Sequence, residues 1–393
     1  MTMAVETRKK TRITPYDAWM DHENIPVARA HGIADLGEPE FGYWDRHGCE
    51  AYFVGLYGME GFTGGHVCKI PAGGSTKEVH HVYENIVYIL QGRGAATLRG
   101  PKGDTIQFEW QEGSLFAIPL NAPYRFFAHD QDVMFVAFTT GPIMFDFLHS
   151  ADFIYGSDFA FRDRFDGEPE FMHKDVRKEE LNSTLLGNYN RRNWETNFIA
   201  DARNTLPDSI DPKGGTLRYI QYEFCANSLI THQSKYPTGA YMQGHYHGGG
   251  AILVILRSQG YSLMWPKEIG THPFEDGLGD QVVRMDWKVG SIFSPQTGWY
   301  HQHFNTGNED ALQLAIRYGS NKFPVGLWDA LGGGEAADGQ VKTMVSAREG
   351  GHIIPYEDED PAMRRMFNEG IQKNGVKPWE GLSVTRPIGL GAR

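Results

Sequence analysis

The chain is poor in the features that mark several protein classes. It has three cysteines in 393 residues. Cys49, Cys68 and Cys225 are far apart and odd in number, so a disulfide framework and a C-x-x-C zinc site are both excluded, and a reducing, cytoplasmic setting is expected. No stretch approaches the roughly 18 consecutive apolar residues of a membrane-spanning helix, so no membrane partner is expected. The N-terminus starts basic but has no apolar segment behind it, unlike a secretory signal. Positive charge is also in short supply. With 37 Lys and Arg against 49 Asp and Glu, the net charge of −12 gives no global field for nucleic acid. Low-complexity tracts are absent, and Gly248-Gly249-Gly250 lacks the strand-to-helix context of a phosphate loop. Two residue types are abundant: 47 glycines, which favour many tight turns, and 16 histidines, several of them close together.

Thr14 followed by Pro15 reads as the N-cap and first turn of a short helix. From there the chain repeats one order of events. The first copy runs through HVCKIPAGGSTKEVHHVYENIVYILQGRG and WQEGSLFAIPLNAPYRFFAHDQDVMFVAFTTG. The second runs through YMQGHYHGGGAILVILRSQGYSLMW and WKVGSIFSPQTGWYHQHFNTGNEDALQLAIRYG. In each, histidines precede an apolar strand, a Gly turn and a second strand. A Trp-x-x-Gly-Ser turn and two further strands follow. Gly92 pairs with Gly260 and Gly113 with Gly290, and the second copy carries an extra loop around PKEIGTHPFEDGLGD. Short, evenly spaced strands with Gly turns indicate sandwiches or barrels. The expected organisation is an N-terminal helical or irregular extension over 1–50 and a first barrel over 51–150. An irregular linker with short helices covers 151–212, a second barrel 213–325, and a C-terminal helical extension 326–393, with a helix over 357–373.

The second copy carries the sharper chemical signal. His245 and His247 are two apart, and residues i and i+2 of a strand share a face. His301 and His303 follow on a strand able to close against the first. Two histidines from one strand and one from another make a three-nitrogen metal site with open positions, suited to Fe, Zn, Cu or Ni.

These residues resemble the two motifs of the cupin superfamily. His245, His247 and Gly260 fit the first motif; Gly290, Pro295, Gly298, His301 and Asn305 fit the second, with the Gly-to-Pro spacing one residue short and the Pro-to-Gly spacing one long. The resemblance implies an all-β bicupin of two double-stranded β-helix (jelly-roll) barrels with helical extensions. It also implies that His245, His247 and His301 are the metal ligands, with His303 lining the pocket beside them. The usual motif glutamate is missing, since GGGAILVIL follows His247. A three-histidine set resembles the gentisate and salicylate ring-cleaving dioxygenases, which are bicupins using Fe(II); Mn, Zn and Ni are the alternatives. In the first copy the ligand positions fall on Glu78 and His80, the motif glutamate on Glu84 or Asn85, and Tyr124 stands where His301 does. That barrel is expected to be structural or regulatory.

Strand parity nominates Tyr241 and Gln243 for the face of His245 and His247. Gln313, Ala315 and Arg317 share one face of the last strand. Arg317, Arg257 and Arg284 are candidates to bind a substrate carboxylate, and Trp299 and Trp265 to line an apolar pocket. The Gly248–Gly250 run is expected to let the backbone pass close to the metal. His47, His66, His81, His129 and His232 read as ordinary structural or surface histidines. The first functional expectation is a non-haem Fe(II) dioxygenase that uses O2 on a hydroxylated aromatic carboxylate. The second is a redox-neutral lyase, hydrolase or isomerase, with the metal as Lewis acid and His303 or Tyr241 as general acid-base. The third is a non-catalytic small-molecule binder. A homodimer or homotetramer is expected.

Overall fold

The computed structural model describes residues 12–59, 61–173, 177–183, 189–210, 214, 217–320, 322–325 and 345–379. The basic start of the chain and the segment 326–344 lie outside the described residues.

The first helix, α1 (Pro15–Glu23), begins where its sequence says it should. Thr14 Oγ1 accepts the Asp17 N–H, and the Asp17 carboxylate accepts the Thr14 N–H, a reciprocal capping box. Asn24, in the left-handed region at φ 55°, ends it. Its buried face carries Tyr16, Trp19 and Met20, and the Trp19 ring packs on Phe53, Phe145 and Trp44.

Two halves follow with one strand order. In the first, a larger sheet runs Cys49–Val54, Gly64–Ile70, Val133–Thr139, Asn85–Gln91, Leu115–Ile118, and a smaller one Tyr124–Ala128, Arg93–Arg99, Thr105–Gln111. The second repeats this as Arg218–Glu223, Leu229–Tyr236, Ala311–Tyr318, Ile252–Arg257, Ile292–Phe293. Its smaller sheet contains Trp299–Asn305, Gly260–Pro266 and Val283–Trp287. Alternation sets which side of each strand is buried: along Thr105–Gln111, Ile106, Phe108 and Trp110 are buried and the intervening residues exposed. The strand Ala311–Tyr318 is buried throughout because both its faces are covered. Leu312, Leu314 and Ile316 join the core shared with the first half, while Ala311 and Ala315 face the interior of the second.

The duplication holds residue by residue. Gly113 and Gly290 both have positive φ, and the next residues, Ser114 and Ser291, donate to Ala200 O (2.8 Å) and Ala34 O (2.7 Å). Those acceptors directly follow two exchanged strands. Gly32–Ile33, ahead of the first half, pairs with Ile292–Phe293 of the second; Phe198–Ile199, ahead of the second, pairs with Leu115–Ile118 of the first. The partner of Gly260 is Gly94, not Gly92. A Cβ on either would sit 2.0 Å from a carbonyl, Phe127 O or Phe304 O, and against the rings of Trp110 or Trp287.

Two closed all-β barrels are not what forms. Every described sheet is an open path with two ends, so each half is a pair of facing sheets in jelly-roll-like order. Helices are also built into the cores, which makes the fold mixed. α1 and α2 (Gly141–Leu148) supply Trp19 and Phe145, and α3 (Ala151–Gly156) supplies Ile154. α4 (Pro361–Lys373), capped by the Asp360 carboxylate, buries Met363, Phe367 and Ile371 against the outer face of the second smaller sheet. Full burial of such side chains contributes about 1.5–3 kcal/mol each. The segment read as irregular also contains two strands, Arg177–Ser183 and Tyr189–Glu195, which pair with each other and extend the larger sheet of the second half. Among the described residues no helix is long and apolar enough to cross a membrane.

Candidate metal centre

Alternation along Trp299–Asn305 separates two environments. Tyr300 and Phe304 point to the cluster under α4, and Gln302 Nε2 donates to Glu359 there. His301 and His303 point inward. His245, in the short strand Gly244–His245, lies directly opposite His301 in register. His247 follows two residues later, half-buried at the mouth, while His245 and His301 are buried. The His301 ring centroid is 4.3 Å from that of His245 and 4.6 Å from that of His247.

All three rings are oriented the same way. Nδ1 of His245 donates to Gln243 O (3.1 Å), Nδ1 of His247 to Gly248 O (2.8 Å) and Nδ1 of His301 to Trp299 O (3.1 Å). A carbonyl can only accept, so each Nδ1 carries the proton, and in the neutral ring the lone pair falls on Nε2. One ring nitrogen from each histidine lies within 4.8 Å of the other two. This donor set fits a divalent ion: three imidazoles in a preset tautomer, with coordination positions left over.

His303 stands beside them, its ring 5.5 Å from His301 and against Phe293 at 5.4 Å. Its Nδ1 is 2.8 Å from Ser262 Oγ, which accepts the indole N–H of Trp287 at 3.1 Å. Gln243 and Gln313 are buried, and neither amide has a hydrogen-bond partner among the described residues. Gln313 shares the inward face of its strand with Ala315. Arg317, on that face too, donates to His232 Nδ1 (3.4 Å) and Tyr318 O (2.9 Å). Trp299 flanks the mouth, with His31 of the N-terminal segment at 5.6 Å.

The structure places other nominated residues elsewhere. Tyr241 lies in the cluster under α4, stacked on Phe304 at 4.9 Å, with its hydroxyl donating to Glu359. Parity misled because the chain is not a continuous strand from Tyr241 to His247: Tyr241 forms a single bridge to Phe304, and the ladder resumes one residue out of register at Gly244–His245. Arg257 donates to the carbonyl of Arg203, and Arg284 pairs with Asp286 on the surface. The Trp265 indole donates to Gly270 O in the outer cluster. The Gly249–Gly250 pair serves contact between the halves: a Cβ there would collide with Phe62, and Gly250 N donates to Gly58 O.

In the first half, Val79 and Tyr124 form the bridge equivalent to His245 and His301, and His81 takes the place of His247. Tyr124 therefore does stand where His301 does, but the inward histidine is His81. Its Nε2 is 3.2 Å from the Tyr124 hydroxyl, and burial pushes its pKa down to about 3. His80 points outward to Asn121, and Glu78 pairs with Arg99 at the surface. Glu84 ties the halves together instead of holding a metal: its carboxylate accepts from Ser228 N, Ser228 Oγ, Leu229 N and Arg164. His47, His66 and Cys68 form a second cluster of donor atoms, again within 4.8 Å of one another. The His66-x-Cys68 spacing on a strand was the available signal, by the same parity that picks out His245 and His247.

No family model matches the chain, and no curated protein matches it. Solved structures do. A mutant of Bacillus subtilis oxalate decarboxylase OxdC is similar at 11% identity and TM-score 0.46, over 73% of this chain and 77% of that one. The formate complex of Lactobacillus farciminis oxalate decarboxylase is similar at 12% identity and TM-score 0.45, over 72% and 85%. At those values the likeness carries no argument about chemistry.

Proposed function

We propose that the chain is a metal-dependent enzyme for a small anionic substrate, with His245, His247 and His301 holding the ion and the reaction redox-neutral, as in a lyase, hydrolase or isomerase. A bound divalent ion would supply Lewis acidity toward a substrate oxygen. Three neutral histidines leave its charge uncompensated, which favours an anionic, chelating ligand. The buried amides of Gln243 and Gln313 offer donors and acceptors to orient such a molecule.

The observation that carries this reading is His303. It shares the inward face of His301, and its Nδ1 is held by a serine that an indole in turn holds. The Ser262 hydroxyl can accept from Nδ1 or donate to it, so the neutral ring can carry its proton on either nitrogen and exchange it through Nε2. That is the arrangement of a general acid-base, which a proton-moving reaction requires. The test is an anaerobic screen of chelating oxyacids with metal-loaded protein, beside His303→Gln. Turnover without O2, reduced about 10²–10⁴-fold in the variant with metal content unchanged, supports the reading. Turnover that stops when O2 is removed refutes it and restores the dioxygenase.

A further inference from the structure

We propose that the first half holds a second metal ion, of the zinc class, at a buried site built from His47, Cys49, His66 and Cys68. This inference is independent of the three-histidine centre.

The sequence contains two His-x-Cys pairs, His47-Gly48-Cys49 and His66-Val67-Cys68. The fold brings them together. His66 and Cys68 lie on Gly64–Ile70, two apart and so on one face. Cys49 opens the neighbouring antiparallel strand, in which Ala51 lies opposite Cys68. The turn after Trp44 folds His47 back over that tryptophan, ring centroids 3.9 Å apart, until it is 5.3 Å from the His66 ring. One donor atom each from His47, His66 and Cys68 lies within 4.8 Å of the other two, and the Cys49 thiol is a neighbour of Cys68 that helps hold its pKa up. A tetrahedral zinc with nitrogen at about 2.0–2.1 Å and sulfur at about 2.3 Å sets its donors roughly 3.3–3.8 Å apart, a modest contraction of the His47, His66 and Cys68 group, with the Cys49 thiol, outside that group, drawn in beside Cys68.

Burial argues for an occupant. Residue exposures are 1% for His47, 4% for Cys49, 3% for His66 and 0% for Cys68. His47 Nε2 is buried with no hydrogen-bond partner among the described residues, a cost that ligation to an ion would remove. Two thiolates and two neutral imidazoles balance a divalent ion, so the filled site is uncharged, as a water-free interior requires. Thiolate ligands select zinc over manganese or magnesium. With four protein donors the site is closed, and its role is structural. Its four residues are not those of the position equivalent to the three-histidine centre, which in this half is Val79, His81 and Tyr124, although His81 is near enough to feel the charge of His66.

The test uses the full-length chain, purified under reductant and reloaded with cobalt(II) after chelation. The native protein should bind about two equivalents and show a near-ultraviolet thiolate-to-cobalt band. His247→Ala should lose one equivalent and keep the band; Cys68→Ser should lose the band and keep the other ion. Far-UV circular dichroism checks folding, and if Cys68→Ser does not fold, the band in His247→Ala decides. No band in folded His247→Ala, a band untouched by Cys68→Ser, or a Cys49–Cys68 disulfide that shuts cobalt out would each overturn the proposal. Failure of the three-histidine reading would leave the band unchanged.

Discussion

Removing the Glu84 carboxylate should weaken the contact between the two halves. Glu84 sits at the start of a first-half strand, and its backbone is fixed independently: its N–H donates to Thr140 Oγ1, and its carbonyl accepts from Thr140 N. Truncation therefore leaves the strand in place and strips only the side-chain contacts. Those are two backbone N–H groups, Ser228 N and Leu229 N at 2.9 and 3.0 Å, the Ser228 hydroxyl at 2.7 Å and the Arg164 guanidinium at 3.0 Å. Leu229 is fully buried, so its N–H has no water to turn to; Ser228 and Arg164 are partly exposed and rehydrate in part. Breaking a buried charged pair on one side costs about 3–5 kcal/mol. The partial exposure of Arg164, 22% for its side chain, puts Glu84→Ala at the low end, about 3 kcal/mol. Glu84→Gln keeps one accepting oxygen and should cost about 1–2 kcal/mol. Urea unfolding read by tryptophan fluorescence and circular dichroism measures both, and because the shared core and the exchanged strands remain, the alanine variant should unfold at a lower midpoint. A Glu84→Ala chain within about 1 kcal/mol of the native one would refute the reasoning.

Two other predictions follow from placements in the site. His81 has a folded pKa of about 3 against an ordinary value near 6.5, because burial opposes its charge. Below about pH 6 the unfolded chain takes a proton that the folded chain refuses, so stability falls on acidification by about 1.4 kcal/mol per pH unit down to about pH 3. The stability curve of His81→Asn should be shallower by that slope between about pH 6 and 4, and parallel curves would remove the assignment. Tyr241→Phe should keep its metal and, within about twofold, its turnover, since the hydroxyl reaches Glu359 and not the histidines. A loss of about 10²-fold or more with metal retained would return Tyr241 to the proton-transfer role.

Much of the second-half site was legible because its chemistry lies in local spacing. His245-x-His247 and Gly298-x-x-His301 are short-range patterns, and the register His245 opposite His301 follows once two such strands pair. What parity could not reveal were the places where the ladder breaks. Between the Tyr241–Phe304 bridge and the His245–His301 pair the register slips by one residue, so Tyr241 ends on the far side of the sheet from His245. In the first half the bridge at Val79 turns His81 inward, whereas motif alignment put His80 there. Barrel closure was an inference from strand count, and strand count does not determine whether the end strands of a sheet meet. The exchanged strands were invisible for another reason. Gly32–Ile33 and Phe198–Ile199 are two residues long, too short for any periodicity, although Ile-Ala-Asp follows the same course at 33–35 and 199–201.

The duplication also explains how one chain can present two different donor sets. His66 and His232 are the same position in the two copies, opposite Ala137 and Ala315. Two residues on, the first copy has Cys68 and the second Ser234, which face Phe135 and Gln313. A thiol beside a histidine in an aromatic surround makes a closed, dry donor cluster. A hydroxyl beside a histidine, with Arg317 and Gln313 across the ladder, makes a polar wall for the interior that holds His303. At the other end of each half the choice is reversed. The positions of His245 and His301 are kept for imidazole in the second copy and filled by Val79 and Tyr124 in the first. Both copies therefore keep a histidine at His66 and His232 and at His81 and His247 and differ in the residues beside them, and the exchanged strands and Glu84 hold the two in one body.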